Sequence, residues 1–162
     1  MGYFRQCSFN DLEELQRISQ TAYLQAFYNL LNSEDVEAYV TDKYSLEHLR
    51  SEFDDSANHF LLFIIEDKPV GYMKYTLNMS SLVIDRLYIL KSYKGMGAGS
   101  KFIEEAENIA KINGKDCLTL GVLEMNKPAI SFYTKKGFVQ YSCETTDIGK
   151  NEYSLLLMKK DL

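Results

Sequence analysis

The chain has no tryptophan, only two prolines, two histidines and three cysteines among its 162 residues. Cys7, Cys117 and Cys143 are too few and too scattered for a disulfide framework or a zinc site. They read as reduced thiols in an intracellular protein, so the cytoplasm and the absence of a metal are expected. His48 and His59 stand in no Ser/His/Asp or Cys/His arrangement. The N-terminus, MGYFRQCSFN, has no apolar signal core, and no run approaches the ~18 apolar residues of a membrane span. Positive charge is also short: 18 Lys and Arg against 23 Asp and Glu give a net charge of −5. That balance argues against nucleic acid or an anionic membrane as partner and suits a cationic substrate.

Repeats, low-complexity tracts and linkers are missing too, so one domain over residues 1–162 is expected. The composition, 46% hydrophobic and 25% charged, is that of a chain able to bury a full core. Tyr3 to Ser8 reads as a short strand. A helix follows whose Asn10 and Glu13 fit an N-terminal capping box and whose Leu12, Leu15, Ile18, Ser19 and Ala22 recur at helical spacing. From Tyr23 to Asp55 the chain is polar and aromatic, with Glu34, Asp35, Glu37, Asp42 and Glu47 among Phe27, Tyr28, Tyr39 and Tyr44, and short helices are expected. Phe60 to Ile65 is an apolar strand, Asp67-Lys68-Pro69 a turn, Val70 to Leu77 its returning partner, and Leu82 to Leu90 the next strand. A helix from about Gly97 to Asn113, a strand Cys117 to Leu123, a short helix opened by Asn126 and closed by Gly137, and a hairpin of Phe138 to Thr145 with Tyr153 to Met158 complete the chain. The strand, helix and strand of residues 82–123 form a right-handed unit with parallel strands. The fold class is therefore α/β with a mixed sheet, also describable as α+β.

The stretch IDRLYILKSYKGMGAGSKF is the most informative. Gly95, Gly97 and Gly99 follow an apolar strand and open an amphipathic helix. Without a Cβ, backbone N–H groups there can turn outward, and a helix N-terminus favours phosphate. A P-loop needs G-x-x-x-x-G-K-S/T and a dinucleotide fold G-x-G-x-x-G, and neither spacing is present. A plain surface turn is the alternative.

The stretch resembles the pyrophosphate loop of the GNAT superfamily of acyl-CoA-dependent N-acetyltransferases, R/Q-x-x-G-x-G/A after a strand reading LYV. Lys94, Gly97 and Gly99 match it, with Leu87-Tyr88-Ile89 as the strand, and Lys94 replaces the usual Arg or Gln. A second motif, N-x-x-A-x-x-F/L-Y-x-x-x-G-F, is matched by Asn126, Ala129, Phe132, Tyr133, Gly137 and Phe138. The resemblance covers nearly the whole chain and implies a sheet of about six to seven strands flanked by helices. It implies acetyl-CoA as cosubstrate, its diphosphate on Lys94, Gly95, Met96, Gly97, Ala98, Gly99 and Ser100. Its pantetheine arm would lie along Leu87, Tyr88 and Ile89, where that strand splays from Cys117 to Leu123, with Asn126, Ala129 and Tyr133 alongside.

The resemblance further implies direct attack by an amine, an oxyanion held by a backbone N–H near Leu87 or Tyr88, and Tyr133 as general acid to the departing thiolate. Asp85 is the candidate base, because Val83 occupies the commonest Glu position and Asp85 faces the same side by alternation. A structural Asp85 paired with Arg86 or another cation is the alternative, as a mere helix cap is for Asn126. Within the superfamily the chain looks most like bacterial spermidine/spermine N-acetyltransferases of the PaiA type. That likeness implies a polyamine, its distal ammoniums held by the acidic stretch from Glu34 to Glu47. A protein lysine or N-terminus as acceptor, and a non-catalytic acyl-CoA-binding module, are the rival readings; a homodimer is compatible with all of them.

Overall fold

The computed structural model describes residues 1–162. Strand β1 (Tyr3–Gln6) leads through a 3₁₀ turn (Phe9–Asp11) into α1 (Leu12–Phe27), α2 (Ser33–Lys43) and α3 (Leu46–Asp54). An antiparallel run of β2 (His59–Ile65), β3 (Lys68–Leu77) and β4 (Ser81–Ile89) follows. Then come a 3₁₀ turn (Lys91–Tyr93), α4 (Ala98–Ile112), β5 (Cys117–Leu123), α5 (Lys127–Lys135), β6 (Val139–Ile148) and β7 (Asn151–Asp161). All seven strands form one mixed sheet in the order β1-β2-β3-β4-β5-β7-β6, in which β4 and β5 are the parallel pair.

The sheet separates two cores. Leu82, Ile84, Leu118 and Leu120 pack on one face against Phe102, Ile103 and Ala106 of α4. Leu62, Ile64 and Tyr72 pack on the other against Leu15 and Ile18 of α1, Val36 and Val40 of α2 and Leu49 of α3. This explains why β2 reads as an unbroken apolar run: both of its faces are covered. No helix is long and apolar enough to cross a membrane.

Three details differ from the sequence expectation. The first helix is approached through Ser8 and Asp11, not Asn10 and Glu13: the Asp11 carboxylate accepts from the Ser8 amide (2.7 Å) and hydroxyl (3.0 Å). Arg5 reaches the same carboxylate at 2.8 and 3.0 Å, a tie to β1 that Glu13 does not make. The final hairpin turns tightly at Gly149-Lys150, so both strands run longer than expected. Asp35, part of the acidic stretch, is buried at 3% exposure beneath that turn. Its carboxylate accepts from Asn151 Nδ2 (2.6 Å), the Lys150 amide (2.9 Å) and the Tyr153 hydroxyl (2.8 Å), which hold it ionised below the usual carboxylate range.

Gly149 closes this turn with φ +60°, and a Cβ there would lie 2.5 Å from Asp35 Oδ1 and 2.6 Å from its Cα. Gly149→Ala therefore adds left-handed strain to a clash with backbone. We expect a drop of roughly 5–10 °C in melting temperature, measured by thermal denaturation.

The feature that positions the site is a bulge in β4. Lys74 faces Arg86 across the β3–β4 ladder, but Tyr75 faces Ile84, leaving Asp85 as an extra residue. A bulge bends and twists its strand. The β4–β5 pairing ends at this point, at Ile84 opposite Leu120, while both strands continue without each other to Ile89 and Leu123. A wedge thus opens between two parallel strands at their carboxyl ends. The side chains change faces there: Ile84 belongs to the α4 core, as do Leu87 and Ile89 beyond the bulge, whereas Tyr88 and Leu90 join the α1–α3 core.

Candidate active site

The wedge widens into a cleft of about 740 Å³. Its walls are the diverging ends of β4 and β5, the glycine loop and first turn of α4, one side of α5, and α1 with Tyr39 of α2. The Leu90 amide donates to Val70 O, so by antiparallel alternation the backbone groups of Leu87 and Ile89 point away from β3 and into the wedge. Likewise the Glu124 amide donates to Ser154 O, which turns the backbone of Gly121 and Leu123 away from β7 toward the same space. Two strand edges with unsatisfied donors and acceptors line one slot. Of Leu87 and Tyr88, it is Leu87 whose amide faces it.

At the mouth lies the glycine loop. Gly95 and Gly97 have φ of +78° and +82°, open to glycine and strained for other residues. The six successive amides from Gly95 to Ser100 donate to no backbone or side-chain acceptor in the protein, whereas the next one, Lys101, bonds Gly97 O. These donors, at the positive end of a helix of fifteen residues, make an anion cradle. Lys94, Gly95, Gly97, Gly99 and Ser100 line the cleft. Met96 is 59% exposed outside it, and the Ala98 methyl is buried in the core, so those two residues offer only their amides. A Cβ on Gly97 meets nothing within 4 Å: the space it would fill belongs to the cradle. Gly97→Val is expected to weaken binding of the acetyl-CoA that the resemblance implies at least tenfold, checked by titration calorimetry. The fold should lose only the cost of one strained residue, on the order of 1–3 kcal/mol.

Helix α5 forms the opposite wall. Asn126 caps it by accepting from the Ala129 amide at 3.4 Å, and also lines the cleft, so cap and wall coexist in one residue. Ala129, Phe132 and Tyr133 face inward, and the Phe132 ring lies 3.0 Å from where a Cβ of Gly99 would be. The Tyr133 hydroxyl has no protein partner and is not sealed from the cleft. Burial pushes its pKa up to about 12, so the phenol stays protonated across the physiological range.

Beyond the bulge stands a charged network that the sequence reading did not assemble. Glu52 of α3 accepts both Arg86 guanidinium nitrogens at 2.8 Å and the Lys74 ammonium at 3.2 Å. Lys74 also bonds Asp85 Oδ2. Asp85 is thus the structural partner of a cation, Lys74 and not Arg86; its carboxylate is 47% exposed and its Oδ1 has no protein partner. The signal in the sequence is Lys74, a charge inside an apolar stretch of β3, and Arg86, whose place in β4 requires a counter-ion beyond the adjacent Asp85. Burial opposes the Arg86 charge, but the facing Tyr72, Tyr44 and Glu52 outweigh it and raise its pKa.

Aromatic rings close that end. Tyr44 and Tyr88 share a hydroxyl hydrogen bond of 2.5 Å, and burial raises both phenols well above their usual pKa. Tyr23, Phe27, Tyr39 and Tyr88 line the cleft. The acidic stretch expected to hold distal ammoniums does not: Asp35 is buried under the hairpin turn, and Glu34, Glu37, Asp42 and Glu47 lie off the cleft, whose single lining carboxylate is Asp85. Glu34, Glu37, Asp42 and Glu47 stand on the exposed faces of their helices and Asp35 on the buried one, a direction that sequence spacing alone does not reveal.

Residues 24–138 match the family model described as acetyltransferase (GNAT) family. Over 138 residues the chain is 28% identical to a spermidine N(1)-acetyltransferase of Thermoplasma acidophilum, covering 83% of this chain and 86% of that one. Over 112 residues it is 36% identical to the peptidyl-lysine N-acetyltransferase YjaB of Salmonella typhimurium, covering 68% and 70%. The crystal structure of the PaiA N-acetyltransferase of Thermoplasma acidophilum in complex with coenzyme A superposes with a TM-score of 0.85 at 26% identity, covering 100% of this chain and 99% of that one.

Proposed function

This chain belongs to the GNAT family of acetyltransferases and is an acetyl-CoA-dependent N-acetyltransferase, and from that premise we propose that it acetylates a primary amine seated between Asp85 and Tyr133, a polyamine such as spermidine or spermine being the first candidate. The observation that carries the proposal is the wedge itself: two unpaired strand edges and a run of six unpartnered amides lead to a protonated phenol with no protein partner. When bound, acetyl-CoA supplies an acyl thioester whose carbonyl the amine attacks. The cradle from Lys94 to Ser100 takes the diphosphate, and the edges of Leu87, Ile89 and Leu123 align the arm by strand-like pairing. The Leu87 amide, aimed into the wedge, donates to the oxygen on which charge develops. Tyr133 gives its proton to the departing sulfur. Asp85 Oδ1 receives the incoming ammonium and takes its proton, directly or through water.

The polyamine reading is supported by the similarity to a spermidine acetyltransferase and by the net charge of −5. A protein lysine is the second reading, favoured by the 36% identity to a peptidyl-lysine enzyme and by a cleft with one carboxylate, which suits an acceptor with one ammonium. We assign the protein to the cytoplasm on its three free thiols. Thiol release from acetyl-CoA in the presence of spermidine, spermine or lysine peptides tests the reading. Turnover with the polyamines alone supports the first acceptor, turnover with peptides alone the second, and tight acetyl-CoA binding without release for any amine overturns both.

A further inference from the structure

The acceptor end of the cleft has a wall of rings where a wall of carboxylates would be expected for a dication. Tyr39 stacks on Tyr23 with centroids 4.7 Å apart and planes 10° from parallel. Phe27 packs on Tyr23 at 4.7 Å and Tyr88 stands edge-on to it at 6.3 Å. All four rings line the cleft; Tyr23 and Phe27 are buried, whereas Tyr39 and Tyr88 keep part of their surface open to it. The same cluster already binds one cation through a ring face: the Arg86 guanidinium carbon lies 5.1 Å from the centroid of Tyr44, which stands edge-on to Tyr39 at 5.7 Å. The one lining carboxylate, Asp85, is engaged by Lys74 on one oxygen, leaving a single oxygen for the reacting amine.

We propose that Tyr39, with Tyr23 behind it, recognises a second positive charge on the acceptor by cation–π attraction, so that the substrate class is an alkylamine carrying a distal cation, including a fully alkylated one. This rests on the amine-acylating reading above. A ring face attracts a quaternary ammonium as well as a primary one, because the attraction needs no N–H. A carboxylate pocket built on hydrogen bonds would lose its partner on methylation. The neutral rings also explain how a dication is held where Arg86 and Lys94 flank the same cleft.

The experiment compares three acceptors with the wild-type chain: heptylamine, 1,7-diaminoheptane and (7-aminoheptyl)trimethylammonium. The two dications are expected to have KM values within about threefold of each other and roughly tenfold below heptylamine, the size of one desolvated cation–ring contact. Tyr39→Leu should raise KM for both dications about tenfold more than it changes KM for heptylamine, collapsing the difference between them, and Tyr39→Phe should behave as wild type. A quaternary acceptor more than tenfold worse than the diamine, or heptylamine as good as either, overturns this inference while leaving amine acetylation intact. Turnover with spermidine or a lysine peptide but with none of these three overturns this inference alone, and no thiol release with any of these amines overturns the underlying reading with it. Where Tyr39→Leu fails to fold, the wild-type comparison decides alone.

Discussion

Replacing Tyr133 by phenylalanine is expected to lower kcat by about a hundredfold or more, the range of a positioned proton donor, with KM for acetyl-CoA changed less than threefold. The ring stays in place between Phe132 and Phe138, with centroids at 5.3 and 5.6 Å. Its hydroxyl has no protein partner to lose, so the melting temperature should move by no more than ~2 °C. The measurement is steady-state thiol release together with a thermal melt of each protein. The pH profile adds an independent check. A phenol whose pKa burial has raised to about 12 is still protonated at pH 10, so it imposes no descending limb below that pH. The rate should rise with pH as the acceptor ammonium, pKa ~10, loses its proton, in wild type and variant alike. An alkaline decline near pH 8–9 that disappears in Tyr133→Phe would show that the phenol ionises there, against the burial account.

The second large effect is on stability. Glu52→Ala leaves Arg86 and Lys74, whose side chains are each 9% exposed, with Asp85 as the remaining counter-charge. Two cations would be left in a site built for neutrality. Breaking a buried pair by removing one partner costs on the order of 3–5 kcal/mol, because the other charge stays desolvated. A fall of roughly 10 °C in melting temperature is expected, with a lower urea midpoint at unchanged slope. Glu52→Gln keeps the shape and some hydrogen bonding and should lose less. Glu52→Leu combined with Arg86→Met should recover part of the loss. A Glu52→Ala melt within 2 °C of wild type would mean that solvent already screens these charges. Activity should fall as well, since Glu52 fastens α3 to Arg86, the residue immediately before the Leu87 amide.

Much of this was legible in the chain, for identifiable reasons. Gly95 and Gly97 announce a left-handed backbone because few other residues tolerate one, and both adopt it. Asn126 through Phe138 carry side chains at fixed helical offsets, and a helix preserves offsets, so Ala129 and Tyr133 were bound to share a wall. The β4 bulge left no such mark. Asp85 is neither glycine nor proline, and the shift exists only in the register with β3, between Lys74 opposite Arg86 and Tyr75 opposite Ile84, which no pattern within β4 carries. Glu52 escaped notice for a related reason: its partners lie 22 and 34 residues away, and no local pattern joins them. The acidic stretch misled because charge in sequence does not say which way a helix face turns. The cap at Ser8 and Asp11 was displaced from Asn10 and Glu13 by Arg5, a contact from a different element.

The extra residue at position 85 leaves β4 with a division of labour. Beyond it the odd-numbered positions turn their main chain into the wedge, and the even-numbered ones, Arg86 and Tyr88, line the cleft; on the proposed reading the first set serves the acyl donor and the second faces the acceptor. On that reading a lineage could vary Tyr88 and the rings around it to take a new amine while Arg86, tied to Glu52, keeps the seat of the acyl donor in place, so one catalytic frame can be carried through many changes of clientele.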